Sequence, residues 1–225
     1  MIGIIGAMDV EVSNIIDKIQ NVNIKKIGIY TYYQGLLEGK EVVLLKSGIG
    51  KVSSAVGTSL MIENYHPEVI INTGIAGGVA PLHTKDLCLA SCLTYGDVDA
   101  TVFDYALGQV PQMPQYYLAD TEYLNKIKNV LNDMGYAYKE VLAVTSDSFI
   151  TSLDMVNIPN KGNIICEMEG ASIAQACHIL NTKFVSLRYI SDIINSDEHV
   201  KNYFEFEKEM ANMSSNILIE VIKRI

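Results

Sequence analysis

The chain has 225 residues, 49% hydrophobic and 19% charged, a composition that packs into a globular fold and excludes a disordered one. The formal charge is −9 and no run of Lys or Arg exceeds two residues. That argues against a nucleic-acid surface, which needs clustered cations, and suits a small ligand that is uncharged or positive.

Met1-Ile2-Gly3-Ile4-Ile5-Gly6 reads as a buried strand without the basic flank or length of a secretory leader. No uncharged run approaches the ~20 residues of a membrane span, so the expected compartment is the cytoplasm. A helix is predicted over residues 10–19, with Glu11 at its start, just past the strand's carboxyl end. Alternation over 27–33, a turn near Gly35, the turn Glu38-Gly39-Lys40 and the run Val42-Val43-Leu44-Leu45 predict a β-hairpin. Ser47-Gly48-Ile49-Gly50-Lys51 opens a helix reaching to about residue 64. A Walker loop would need glycine at Leu45 and a hydroxyl at Val52, and a Rossmann fingerprint glycine at Ser53. The glycines are therefore read as backbone clearance at a strand–helix turn.

Residues 69–74 predict a central strand, and Gly74-Ile75-Ala76-Gly77-Gly78 a small-residue turn open to a ligand or another backbone. A strand over 87–94 carries Cys88 and Cys92. With Cys166 and Cys177 these form no Cys-x-x-Cys pair, so buried free thiols are expected. From 95 to 117 periodicity is lost, and such a loop serves a site, an interface or plain surface covering. A helix over 121–134, capped by Thr121, and a strand over 141–145 follow, then Ser146-Asp147-Ser148-Phe149-Ile150. Next, an apolar run from Gly162 stops at Glu167-Met168-Glu169 before a helix ending near His178. On an extended strand the two glutamates would point the same way, with Met168 opposite; alternatively they are first-turn helix acids. A strand over 184–192 carries Arg188 and ends at Ser191-Asp192. An amphipathic helix from about residue 204 closes the chain, with Met210, Met213, Ile217 and Val221 as its core stripe. Strands alternating with helices, without linker or repeat, predict one α/β domain over residues 1–225.

Polar signals recur at the strand ends: Glu11, Ser146-Asp147, Glu167 with Glu169, and Arg188 with Asp192. In open α/β sheets ligands bind there, and several carboxylates beside one Arg suit general acid–base chemistry. The histidines have no ligand spacing and Asp97-Val98-Asp99 is the only Asp-x-Asp, so no metal is expected. No Gly-x-Ser-x-Gly elbow supports a nucleophilic serine.

Six segments taken in order carry a family resemblance. They are the 3–12 opening, Leu44 to Val52, Ile70-Ile71-Asn72-Thr73-Gly74 with Ala76-Gly77-Gly78, residues 146–150, Glu167-Met168-Glu169, and Arg188-Tyr189-Ile190-Ser191-Asp192. Together they resemble the methylthioadenosine/S-adenosylhomocysteine nucleosidases of the purine nucleoside phosphorylase-like superfamily. The resemblance implies a three-layer α/β/α sandwich around a mixed, twisted sheet, a cofactor-free hydrolase and a homodimer. It implies Glu11 as the base that activates water, Asp192 as the acid that protonates adenine N7, and Ser191 as the residue orienting Asp192. Glu169 would hold the ribose hydroxyls over Met168, Phe149 would stack on adenine, and backbone near Ile150 would read its edge. Glu167 and Arg188 would form a supporting pair. Met8, Ile49 and Tyr203 would line the sugar and alkylthio side, with the alkylthio pocket closed by Phe103, Tyr105 and Pro111 of the partner subunit. The sequence departs from the family pattern at Ile75, Gly96 and Gly170, where a small hydroxyl residue, a histidine and an alanine are expected. A phosphate-dependent phosphorylase and a non-catalytic nucleoside sensor are the alternatives.

Overall fold

Alternating burial along the strands decides which helix layer each residue meets. The computed structural model describes residues 1–156, 162–196 and 199–225. Strands β1 (Ile2–Gly6), β4 (Lys40–Lys46) and β5 (Val69–Gly78) pair in parallel and are apolar on both faces, as expected of strands covered on both sides. Ile4, Leu44 and Ile71 pack toward α1 (Asp9–Ile16), α3 (Thr121–Asp133) and α5 (His199–Arg224). Their chain neighbours Ile5, Leu45 and Ile70 pack toward α2 (Lys51–Tyr65) and α4 (Gly170–Ile179). These are the three layers of an α/β/α sandwich.

The sheet is mixed. Strands β2 (Gln20–Ile27) and β3 (Tyr30–Leu37) extend it as an antiparallel edge beyond β4. On the other side β10 (Lys183–Ile193) lies between β5, parallel, and β6 (Leu87–Tyr95), antiparallel. β6 pairs with β8 (Lys139–Thr145) and the short β7 (Tyr117–Leu118), and β8 pairs with β9 (Ile164–Glu167). β9 then returns to the end of β5 through Gly77–Cys166 and Gly78–Ile165. Strands β5, β10, β6, β8 and β9 thus form a closed ring, and the ring gathers the polar strand ends.

Several local expectations are corrected. The first helix stops at Ile16, and the last begins at His199. Residues 27–33 straddle a turn at Gly28-Ile29, so two hairpins stand where one was expected, and Gly35 lies inside β3 opposite Val42. A Cβ at Gly35 would come 2.4 Å from Gln20 O, so this glycine admits a neighbouring backbone without making a turn. Residues 74–78 continue β5 and do not turn. Asp120, one residue before Thr121, caps α3 by accepting the Tyr123 N–H at 2.9 Å.

Candidate active site

Glu11 is built in by the first strand–helix turn. It occupies the third position of α1, and its carboxylate folds back so that Oε2 accepts the N–H groups of Ala7 at 2.7 Å and Met8 at 3.0 Å. Oε1 accepts the Ile75 N–H at 3.1 Å across the sheet. The space for this carboxylate is supplied by Gly74, where φ is +151° and an added Cβ would lie 2.1 Å from Oε1. Burial pushes Glu11 above its ordinary value, opposed by the Arg188 charge and the three N–H groups. A raised carboxyl is the stronger base once ionised.

Arg188 is 1% exposed on β10, among the largest fully buried side chains of the described residues. Its Nη2 donates to Asn72 Oδ1 at 2.6 Å and to Glu167 Oε2 at 2.8 Å, and Nη1 donates to Ile75 O at 3.2 Å. Glu167 does more than pair with it. Oε2 also accepts the N–H groups of Glu169 at 2.9 Å and Gly170 at 2.6 Å, capping α4, and Oε1 accepts from the Thr145 hydroxyl. A buried charge left without such partners would cost several kcal/mol (~3–5).

The strand ends at Glu167, and Glu169 (φ −135°, ψ −35°) is already the N-cap of α4. The two acids therefore leave the chain at different points, against the expectation of one extended strand face. Glu169 Oε1 accepts the Gly50 N–H at the start of α2, at 2.9 Å. Burial pushes Glu169 up to about 8, reinforced by the Glu167 charge and opposed by Arg188 and Gly50. Between about 4.5 and about 8 the folded carboxyl keeps its proton while the unfolded chain releases it, so stability falls as pH rises through that window. Glu169→Gln keeps an acceptor for Gly50 and removes the titration. It is expected to stabilise the ligand-free protein by on the order of 2 kcal/mol above pH ~8 and by little below pH ~4.5; thermal melts at the two pH values check this.

Asp192 owes its aim to a bulge. In the β10–β5 register Ile190 faces Ala76 and Asp192 faces Gly77, leaving Ser191 as the extra residue. The Ser191 hydroxyl lies between Ala76 O, at 3.3 Å, and Asp192 Oδ1. Gly77 leaves the necessary room, since a Cβ there would sit 3.0 Å from Asp192 Oδ2.

These groups line one cavity with Met8, Ile49, Phe149, Ile150, Met168 and Tyr203. Phe149 meets Tyr203 edge-on, ring centroids 5.0 Å apart. Every site residue expected from this chain's own subunit is thus brought together. Phe103, Tyr105 and Pro111 are not: they lie outside the cavity lining, and Phe103 is 72% exposed. Sequence reasoning missed Ala7, Ser148, Cys166 and Ile194 in the lining, and Asn72 and Thr145 as partners of Arg188 and Glu167. For the last two a signal existed, a polar residue inside an apolar strand.

The three departures have structural accounts. At Ile75 the backbone serves both Glu11 and Arg188, whatever the side chain. A Cβ at Gly96 would fall 2.3 Å from Val156 Cγ2 and 2.7 Å from Ser146 Oγ. At Gly170 it would lie 2.7 Å from Leu93 Cδ2 and 3.0 Å from Glu167 Oε1. Neither position has room for a larger residue as the chain is packed.

Four buried carboxylates around one arginine can stabilise positive charge and move protons on a small molecule with apolar and aromatic parts. The sequence profile of the phosphorylase superfamily matches residues 1–225. A Halalkalibacterium halodurans protein named 5′-methylthioadenosine/S-adenosylhomocysteine nucleosidase is 41% identical over 228 residues, covering 100% of this chain and 98% of that protein. A Staphylococcus haemolyticus protein of the same name is 41% identical, covering 99% of each. A crystal structure of the Neisseria meningitidis nucleosidase of that name, in complex with methylthio-immucillin-A, is also similar. It superposes with a TM-score of 0.92 at 35% identity, covering 100% of this chain and 99% of that one.

Proposed function

The chain belongs to the 5′-methylthioadenosine/S-adenosylhomocysteine nucleosidase family of the phosphorylase superfamily, and from that premise we propose that it hydrolyses the N-glycosidic bond of both nucleosides, and of 5′-deoxyadenosine, to release adenine. Support comes foremost from the charge of the cavity wall. Arg188 is the one Lys or Arg among the described lining residues, and its guanidinium is already held by Asn72, Glu167 and Ile75 O. A phosphate co-substrate would find no uncommitted cation among the described residues of this wall, so water is the nucleophile.

Glu11 takes a proton from that water. Its three backbone donors hold it in place, and burial makes it a stronger base. Asp192, oriented by Ser191, protonates adenine N7 so that the base leaves neutral. As the glycosidic bond breaks, positive charge grows on the sugar, and the surrounding carboxylates stabilise it more than the neutral ground state. Glu169 holds the ribose hydroxyls above Met168, its Oε1 kept in place by the Gly50 N–H. Phe149 stacks on the purine, and backbone near Ile150 reads its edge. The 5′-alkylthio group lies against Met8, Ile49 and Tyr203.

The protein acts as a homodimer of single-domain chains in the cytoplasm. Val52 and Val56 on α2, Ile179 on α4, and Val102 and Phe103 are exposed apolar residues that a second copy would cover. Phe103, Tyr105 and Pro111 of the partner subunit then close the alkylthio end. No helix among the described residues is long and apolar enough to cross a membrane.

Adenine release from each thioether nucleoside is expected at the same rate with and without phosphate, giving the free sugar. A phosphate requirement with a sugar 1-phosphate product would establish the phosphorylase instead, and saturable binding without release would establish a sensor.

A further inference from the structure

Beside the cavity lies a charge cluster that none of these roles employs. Lys51, the first residue of α2, places Nζ 2.8 and 2.7 Å from the two carboxylate oxygens of Asp97. The same ammonium is 3.7 Å from Asp147 Oδ2 and 5.5 Å from the Tyr95 ring centroid. The backbone joins in: the Lys51 N–H donates to Asp147 Oδ1 at 2.8 Å, and the Asp147 N–H donates to Asp97 Oδ2 at 2.9 Å. Three segments are tied at one point, namely the chain leaving β6, the chain leaving β8 and the start of α2.

This is not an ordinary surface pair. The Lys51 and Asp97 side chains are 23% and 27% exposed, and their bonds are charge-assisted and shared with backbone. None of the three residues lines the cavity, yet what hangs from them does. Asp147 is followed directly by Ser148, Phe149 and Ile150, the purine side of the wall. Lys51 is preceded by Gly50, whose N–H holds Glu169 on the ribose side. Gly50 has no side chain to cap α2, and at φ +94° an added Cβ would sit 3.0 Å from Asp147 Oδ1. The helix start is therefore capped from outside, by Glu169 at one N–H and Asp147 at the next.

We propose that Lys51 is a positioning residue for substrate: by holding Asp97 and Asp147 it sets the purine wall at 148–150 in register with the ribose carboxylate of Glu169. The proposal rests on the nucleosidase reading for the identity of the ligand. Lys51 touches neither the water nor N7, and both proton-transferring groups are anchored elsewhere, Glu11 at the first turn and Asp192 at its bulge. Its loss therefore weakens binding of purine and sugar without altering the chemical step, which is the signature of lost uniform binding.

Steady-state kinetics on 5′-methylthioadenosine and calorimetric titration with adenine, for wild type, Lys51→Met and Lys51→Arg, test this. Lys51→Met is expected to raise KM and the adenine Kd each roughly tenfold, as for one lost charged hydrogen-bond cluster, with kcat within about twofold. Lys51→Arg, which can still bridge both carboxylates, is expected to recover most of the affinity. Should Lys51→Met fail to fold, Asp97→Asn must show the same split between KM and kcat. Unchanged KM and adenine affinity, or a kcat loss at constant KM, would overturn the proposal. If wild type itself binds adenine and releases none, the nucleosidase reading fails, and the adenine titrations still decide the role of Lys51.

Discussion

Asp192→Asn is expected to lower kcat for adenine release by ~10²–10⁴-fold, the range that general acid catalysis supplies, while the protein still binds 5′-methylthioadenosine. Asparagine has the same shape as aspartate and retains a carbonyl oxygen to accept from the Ser191 hydroxyl, so the bulge and the room at Gly77 are preserved. What disappears is the proton for N7. Without it adenine must depart as an anion, and the barrier rises although the ground-state complex is little changed. Single-turnover assays, with calorimetric titration of the same preparation, separate the two effects. Near-normal turnover by this variant would remove Asp192 from the role of acid.

Gly74→Ala is expected to be almost as damaging, although it alters no group placed in the reaction. The new methyl carbon would stand 2.1 Å from Glu11 Oε1 and 2.7 Å from Arg188 Nη1, in a backbone conformation at φ +151° that only glycine adopts readily. Neither neighbour can yield cheaply. Glu11 is pinned by three N–H groups and Arg188 by Asn72, Glu167 and Ile75 O. A loss of kcat/KM of ~10²-fold or more follows from displacing the base by about 1 Å, with a stability loss of about 1–3 kcal/mol from overpacking. Adenine affinity should persist, because Phe149 and Ile150 approach from another strand end. An active Gly74→Ala enzyme would mean that Glu11 need not occupy the position described.

Residues whose chemistry contrasts with their surroundings were legible in the sequence. Arg188 inside an apolar strand and Glu11 one turn beyond a strand both stand out, and β1, α2, β6 and α3 lie within a few residues of their expected bounds. Backbone contributions were not legible. The Ile75 N–H and carbonyl, which meet Glu11 and Arg188, carry no residue signature, since any amino acid but proline offers both. Gly35 misled because clearance for a neighbouring backbone and freedom to turn use the same residue. Of the two readings of Glu167 and Glu169, the shared strand face failed because period-two reasoning holds only while the strand lasts, and β9 ends at Glu167.

Strand β10 lies between β5 and β6, although β7, α3, β8, β9 and α4 come between β6 and β10 in the chain. It covers edges that β5 and β6 would otherwise leave open, a surface prone to pairing with other chains. Among the described residues the one Lys or Arg of the pocket lining, Arg188, stands on that same strand and gives Glu167 its counter-charge at 2.8 Å. Without that guanidinium the Glu167 carboxylate would be a buried charge lacking its ion-pair partner, a strongly destabilising state. One strand therefore both closes the sheet and carries the counter-charge of the pocket, so a change that dislodges β10 removes the two together.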